Sequence, residues 1–401
     1  MTAKNNVALL VAGQSLANIG DILYIVTIIN FVYILTGSAA VASVIPFTVT
    51  SAMFVSSLLT PLLTGRIGLN RLLAATQGLK TAMMAGFGLM LPLLNVSNYY
   101  FIFLVIALVA LCDGCSNPVS QALIPHYVEP ERLVKANGVF EGVYQTINTV
   151  MWLAGGAFLL FMDSGQLIWT VALLFLLSSV LLSLLDRVEH RAESESPSSG
   201  QQLKEGWITL FQVPVLKRVA VIELLETFAG AVWIAAILYV YVSDVLQAGQ
   251  QWWGFINGTF FMGLILGGLL FVRFDEFADR HLAKVMFGGL AAGTAATALF
   301  GITAIPGAAL ALSFLVGLGV QLVGIPKQTI IQTSIPEDKL ATVYSSLGAL
   351  GTLTFGVASL LIGITAEWLG VKSVYLLSAL LLAVAALIVF SSRKILSKGI
   401  Q

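Results

Sequence analysis

Asp21, Asp113 and Glu226 are carboxylates set in stretches of almost unbroken hydrocarbon. A charged side chain at the centre of a bilayer costs about 2.5 to 3.5 kcal/mol even on the lenient insertion scale, so each needs a partner, a proton or a wet cavity. They belong to polar stripes. Gln14, Asn18 and Asp21 are spaced i, i+4, i+7, and Asp113, Asn117 and Gln121 are spaced i, i+4, i+8, which puts each set on one helical face. Glu141, Gln145 and Asn148 form a third stripe, and Glu223 and Glu226 a fourth that continues to Gly230 and Trp233. Gln321, Gln328 and Gln332 form a fifth. Carboxylates in such a setting suit the exchange of a proton for a cationic ligand. The competing reading of Asp21, Asp113 and Glu226 is a structural hydrogen bond between helices.

Glu226 is expected about 12 Å in from the membrane edge, where desolvation weighs on a charged carboxylate. Glu141 and Glu223 are expected nearer the surface, hydrated or paired with Lys135 and Arg218. Lys80 either snorkels to the surface or neutralises one of the buried acids. Trp233 and Tyr144 share faces with carboxylates, which suits stacking on an organic cation or a flat lipophilic ring; the plain alternative is packing.

The elements that must position these residues follow from composition. Of 401 residues 58% are hydrophobic and 10% charged, against roughly 25% charged in soluble domains. A membrane helix needs about 20 mostly apolar residues, and twelve stretches qualify, near 7–35, 39–63, 72–94, 99–124, 138–162, 167–185, 218–243, 252–272, 284–304, 308–331, 342–366 and 373–391. The first is too long and too polar for the core of a cleavable signal and is expected to stay in the mature protein. With the N-terminus inside, basic residues such as Arg66, Arg71, Arg132, Lys135, Arg280 and Lys339 fall on one side, which predicts both termini in the cytoplasm of a cell-membrane protein.

Pro118 begins P-V-S-Q-A-L-I-P-H-Y-V-E-P-E-R-L and Pro326 begins P-K-Q-T-I-I-Q-T-S-I-P-E-D-K-L, about half the chain apart. The expectation is an all-α membrane protein of twelve transmembrane helices in two pseudo-symmetric six-helix bundles, 1–185 and 218–401, joined by a cytoplasmic linker at 186–217 that is rich in Ser and Glu. Within the linker, Trp207 to Phe211 suggests a short amphipathic helix. Stripes on spans one, four, seven and ten imply a shared central cavity.

Several chemistries are excluded. No G-x-x-x-x-G-K-[ST] loop is present, which argues against ATP-driven transport by this chain alone. His126, His190 and His281 lie at or beyond span ends and read as solvated. Cys112 and Cys115 read as packing residues. No catalytic residue, metal or cofactor is expected, and the balanced charge does not point to nucleic acid.

The chain resembles the major facilitator superfamily, and more narrowly the drug and proton antiporter group that includes macrolide efflux proteins. The likeness rests on G-Q-S-L-A-N-I-G-D from Gly13, T-G-S-A from Thr36, N-P-V-S-Q-A-L-I-P from Asn117, E-P-E-R-L-V-K-A-N-G from Glu129, Y-V-S-D-V-L-Q-A-G from Tyr241 and W-G-F-I-N-G from Trp253. One departure stands out: the Gly followed by Asp-Arg, usual between spans two and three, is reduced to G-R-I-G-L-N-R from Gly65, with Asp279-Arg280 after the eighth span as a relic of the same element. The resemblance implies the major facilitator fold and a monomeric, non-enzymatic, alternating-access exporter. It would exchange lipophilic or cationic small molecules for protons. A lipid or siderophore translocator of the same fold is the alternative, drawing on Lys80 and Lys327 for anionic cargo; a non-transporting receptor or scaffold is the remote one.

Overall fold

The computed structural model describes residues 3–37, 39–188, 199–233, 235–249 and 251–396. In chain order the helices are α1 (Ala3–Thr36), α2 (Ala39–Thr64), α3 (Leu69–Met90), α4 (Tyr100–Tyr127), α5 (Leu133–Phe161), α6 (Ser164–Ser183), α7 (Ser199–Gln212) and α8 (Pro214–Gly230). They continue as α9 (Ala235–Val240), α10 (Gln251–Arg273), α11 (Asp275–Arg280), α12 (Leu282–Ile302), α13 (Pro306–Ser334), α14 (Glu337–Leu369) and α15 (Val371–Leu396). A helix occupies each of the twelve predicted spans, the seventh being divided between α8 and α9. Among the described residues nine helices are long and apolar enough to cross a membrane, and ten if the bent α8 and α9 pair counts as one span. The α3 helix, which carries Asn70, Arg71, Gln77 and Lys80, is not among them.

Local chemistry sets several boundaries. Asp163 and Gln166 form a reciprocal capping box at the start of α6. Pro214 and Pro306 open α8 and α13, where a missing backbone N–H costs nothing. Of the linker, residues 189–198 lie outside the described residues; α7 covers Trp207 to Phe211, with Leu210 buried and Ile208 and Phe211 exposed.

The chain forms two compact units. Unit 1 comprises Met1–Val128, Thr146–Trp207 and Glu337–Ala349; unit 2 comprises Glu129–Gln145, Ile208–Pro336 and Leu350–Gln401. The first part of α5 thus packs with unit 2 and the start of α14 with unit 1. Each unit repeats one packing plan. In unit 1, α1 and α3 lie on α6, while α2 and α3 lie on α4; in unit 2, α8 and α12 lie on α15, while α10 and α12 lie on α13. The core of unit 1 is built from Tyr24 and Ile28 of α1, Phe87 of α3, Ile106 of α4 and Phe175 of α6. That of unit 2 centres on Tyr241, Phe300 and Tyr375.

The seventh span is broken rather than continuous. A tight turn at Ala231–Trp233 follows α8, and the two parts are bent by 48°. Carbonyls released there are taken up by α15: Ser378 Oγ donates to Ala229 O at 2.6 Å and Tyr375 Oη to Val232 O at 3.3 Å. Buried backbone acceptors without such donors would be costly in lipid.

Candidate functional site

In unit 1, α1, α3 and α4 each bring one ionisable side chain, from near the middle of the helix, to a common point. Lys80 Nζ donates to Asp21 Oδ1 and to Asp113 Oδ1, both at 2.6 Å. The lysine side chain is 0% exposed, whereas the carboxylates keep 25% and 13% of their surface. The cation is therefore the buried member, and the acids carry what accessibility the cluster has. Phe175 of α6 backs the lysine, with Nζ 4.1 Å from the ring centroid, a cation–π contact that a desolvated ammonium favours. The second oxygen of each carboxylate accepts no hydrogen bond among the described residues. Tyr24, three residues beyond Asp21, buries its hydroxyl without a hydrogen-bond partner among the described residues.

Unit 2 contains a second cluster of the same kind on a different set of helices. Lys327 of α13 lies 2.6 Å from Glu223 Oε2 and 2.8 Å from Glu226 Oε2, both on α8. Thr227 Oγ1 makes a long contact of 3.4 Å to Glu223 Oε1. With both acids ionised and the lysine protonated, each cluster holds two negative charges against one positive and is left with one negative charge in excess. A lysine removed from water keeps its charge only if it is paired and hydrogen-bonded, and two carboxylates supply that.

The structure settles the two readings of Lys80 in favour of neutralisation. Glu223 does not pair with Arg218, nor Glu141 with Lys135. Glu141 Oε1 instead accepts from Gln328 Nε2 at 2.9 Å, and Lys135 pairs with Asp275 at 3.1 Å. Gln321 is buried, with Nε2 lacking a hydrogen-bond partner. Gln14 and Asn18 are half-buried on the stripe that ends at Asp21, and the Gln14 amide nitrogen has no hydrogen-bond partner among the described residues. Asn117 is exposed; Gln145 and Asn148 are half-buried. Trp233 sits apart from the carboxylates' hydrogen bonds, stacked on Phe260 at 5.9 Å and packed against Phe300 at 4.8 Å and Tyr375 at 5.6 Å between centroids. His126 is not solvated: its Nδ1 lies 2.6 Å from Glu337 Oε2 and its Nε2 is buried without a partner.

Sequence reasoning reads Lys327 only as a cation for anionic cargo and passes over Tyr24. A basic residue directly after the helix proline Pro326, within an otherwise uncharged span, is the available signal for the first. A single tyrosine within an apolar run offered none for the second. Among the described residues no three His, Cys, Asp or Glu side chains converge to hold a metal.

A family model described as Major Facilitator Superfamily matches residues 10–355. The chain belongs to that superfamily. This major facilitator protein is 30% identical over 383 residues to the uncharacterized MFS-type transporter YfmI of Bacillus subtilis (strain 168), covering 94% of each chain. It is 25% identical over 393 residues to YjbB of the same organism, covering 98% of this chain and 96% of the other. Its fold matches that of the E. coli fucose:proton symporter with a TM-score of 0.78 at 12% identity, over 98% of this chain and 99% of that one. It is thus a multi-pass membrane transporter with the major facilitator fold.

Proposed function

We propose that this transporter exports lipophilic or cationic small molecules in exchange for protons, by alternating access. In this reading it works as a monomer in the cell membrane with both termini in the cytoplasm. The observation that carries the proposal is the charge excess of the two lysine-centred clusters, Asp21, Asp113 and Lys80 in one unit and Glu223, Glu226 and Lys327 in the other. An uncompensated carboxylate inside a membrane protein is costly until it binds a proton or a cation. Either ligand discharges the same site, so loading one favours release of the other. The drive is sufficient: one proton moving down a unit pH gradient supplies about 1.4 kcal/mol, and each charge crossing 100 mV about 2.3 kcal/mol.

The same geometry weighs against anionic cargo. A siderophore or lipid phosphate would need unclaimed cations, and Lys80 and Lys327 are each held by two carboxylates.

The test is efflux of a panel of fluorescent cations and macrolides in everted vesicles, with and without a protonophore. Wild-type protein is expected to export at least one cation in a protonophore-sensitive manner, and Asp21→Asn and Glu226→Gln to lose that sensitivity while still reaching the membrane. Protonophore-insensitive transport, or selective transport of anions, would overturn the reading.

A further inference from the structure

Glu141 differs from the other half-buried acids described above. Each of the four cluster carboxylates touches a lysine, whereas among the described residues no lysine, arginine or histidine lies within 4 Å of Glu141. Its partner is the neutral amide of Gln328, at 2.9 Å. The amides of Gln145 and Gln321 flank the same carboxylate, and Gln321 Nε2 is a buried donor with no hydrogen bond satisfied.

This arrangement is built by close helix packing within unit 2. A β-carbon on Gly267 of α10 would stand 2.5 Å from Gln321 Cβ, and one on Gly268 would stand 3.0 Å from Gly142 Cα of α5. The two adjacent glycines thus seat α13 and the first part of α5 on neighbouring flanks of α10 and bring Glu141 and the glutamines together. One to two turns away along α5 the same seam is closed by Asn137, which donates to Gln332 Oε1 at 2.7 Å and to Thr329 Oγ1 at 3.0 Å. The charged groups facing this seam are accounted for. On α13, Lys327 is engaged with Glu223 and Glu226 of α8; at its far end Lys135 is engaged with Asp275 of α11. On α10 the charged residue is Arg273, in its last turn.

We propose that Glu141 is a proton-binding site of this transporter, and that the amides of Gln328 and Gln321 serve it as positioning residues. Ionised, the carboxylate accepts from Gln328, with the unsatisfied Gln321 amide beside it as a second donor. Protonated, it is a neutral acid that still accepts from Gln328 through its carbonyl oxygen and now donates through its hydroxyl. The exchange moves one proton and changes the hydrogen bonding across the seam between α5 and α13 without leaving a cation unpaired. The inference rests on the proton-coupled reading above and adds to the two clusters a further group that binds a proton.

The experiment is an infrared pH titration of the purified full-length protein in detergent, reading the carbonyl stretch of protonated carboxyl groups. It needs no transported substrate. The wild-type band is expected to contain a titrating component that is lost in Glu141→Gln, a variant that keeps an oxygen for Gln328. In Glu141→Asp the component should persist with a displaced midpoint. Gln328→Leu, which removes a donor to the ionised form, should displace the midpoint, a shift that a purely structural role would not produce. A band that titrates identically in wild type and Glu141→Gln would overturn the assignment, as would an unmoved midpoint in Gln328→Leu. Protonophore-insensitive transport by wild-type protein would instead sink the coupled reading, so the two failures are distinguishable.

Discussion

Gly20 stands where a β-carbon would come within 2.5 Å of the Phe175 ring, the ring that backs Lys80. The residue beside Asp21 is therefore small because the helix must approach α6 closely enough for ring, ammonium and carboxylate to stack in order. Phe175 is fully buried in the core of unit 1 and cannot swing clear. Gly20→Ala is expected to destabilise the protein by about 1 to 3 kcal/mol through overpacking. Adding Phe175→Leu should recover part of that loss. Thermal unfolding of the purified variants checks both, and a Gly20→Ala protein as stable as wild type would show that the ring is not held as described.

Removing a cation from a buried cluster leaves carboxylates facing each other. Lys80→Met strips Asp21 and Asp113 of the one cationic contact they have among the described residues, and breaking a buried pair in this way costs about 3 to 5 kcal/mol. The expected outcome is a sharp fall in membrane abundance, restored in large part by Asp113→Asn in the same chain. A single variant that accumulates normally, or a double variant no better than the single, would contradict the charge balance assigned to the cluster.

The crossing of α10 and α13 makes a sharper demand on glycine. A β-carbon on Gly263 would strike the carbonyl of Phe314, and one on Gly317 the carbonyl of Phe260. Backbone on both sides cannot rotate away as a side chain can, so the helices would have to part. Gly317→Ala should therefore cost at least as much as the upper end of the overpacking range, about 3 kcal/mol. It should show as loss of the monodisperse peak in size-exclusion chromatography. Gly288→Ala on α12, where nothing lies within 4 Å, should behave as wild type.

Much of this architecture is legible in the sequence because lipid leaves few options. Long apolar stretches must be helices, and the paired Pro118 and Pro326 segments do fall at corresponding places, in the last third of α4 and of α13. The stripes likewise point to Asp21, Asp113, Glu223 and Glu226. Partner choice is not legible, because it depends on which helices lie side by side. Lys80 reaches α1 and α4 from α3, whereas Lys327 reaches α8 from α13, so the two clusters draw their lysines from non-equivalent helices. In the sequence, Glu141 and Trp233 can be read only from their own helices. The first acquires its setting from Gln328 on α13 and the second from Phe260, Phe300 and Tyr375 on three others.

Asp275 and Asp279, both on α11 outside the membrane-crossing helices, should respond to pH with opposite signs. The hydrogen bond from Lys135 holds the Asp275 carboxyl below the usual carboxylate range. Partial burial, helped by the charge of Glu131, pushes the Asp279 carboxyl above it. A carboxyl depressed on folding stabilises the folded state above its unfolded value, roughly pH 4, and the contribution fades as pH falls through the folded value. Asp275→Asn should therefore lower the unfolding temperature at neutral pH, by the equivalent of less than about 1 kcal/mol for so exposed a pair, and should have no effect in strong acid. A carboxyl raised on folding does the reverse, since its ionised form is the less tolerated one. Asp279→Asn should raise the unfolding temperature at neutral pH, with the gain vanishing once the wild-type carboxyl is protonated. Unfolding temperatures of the three proteins across the acidic range decide the matter, and shifts of the same sign at neutral pH would contradict the contacts assigned to α11.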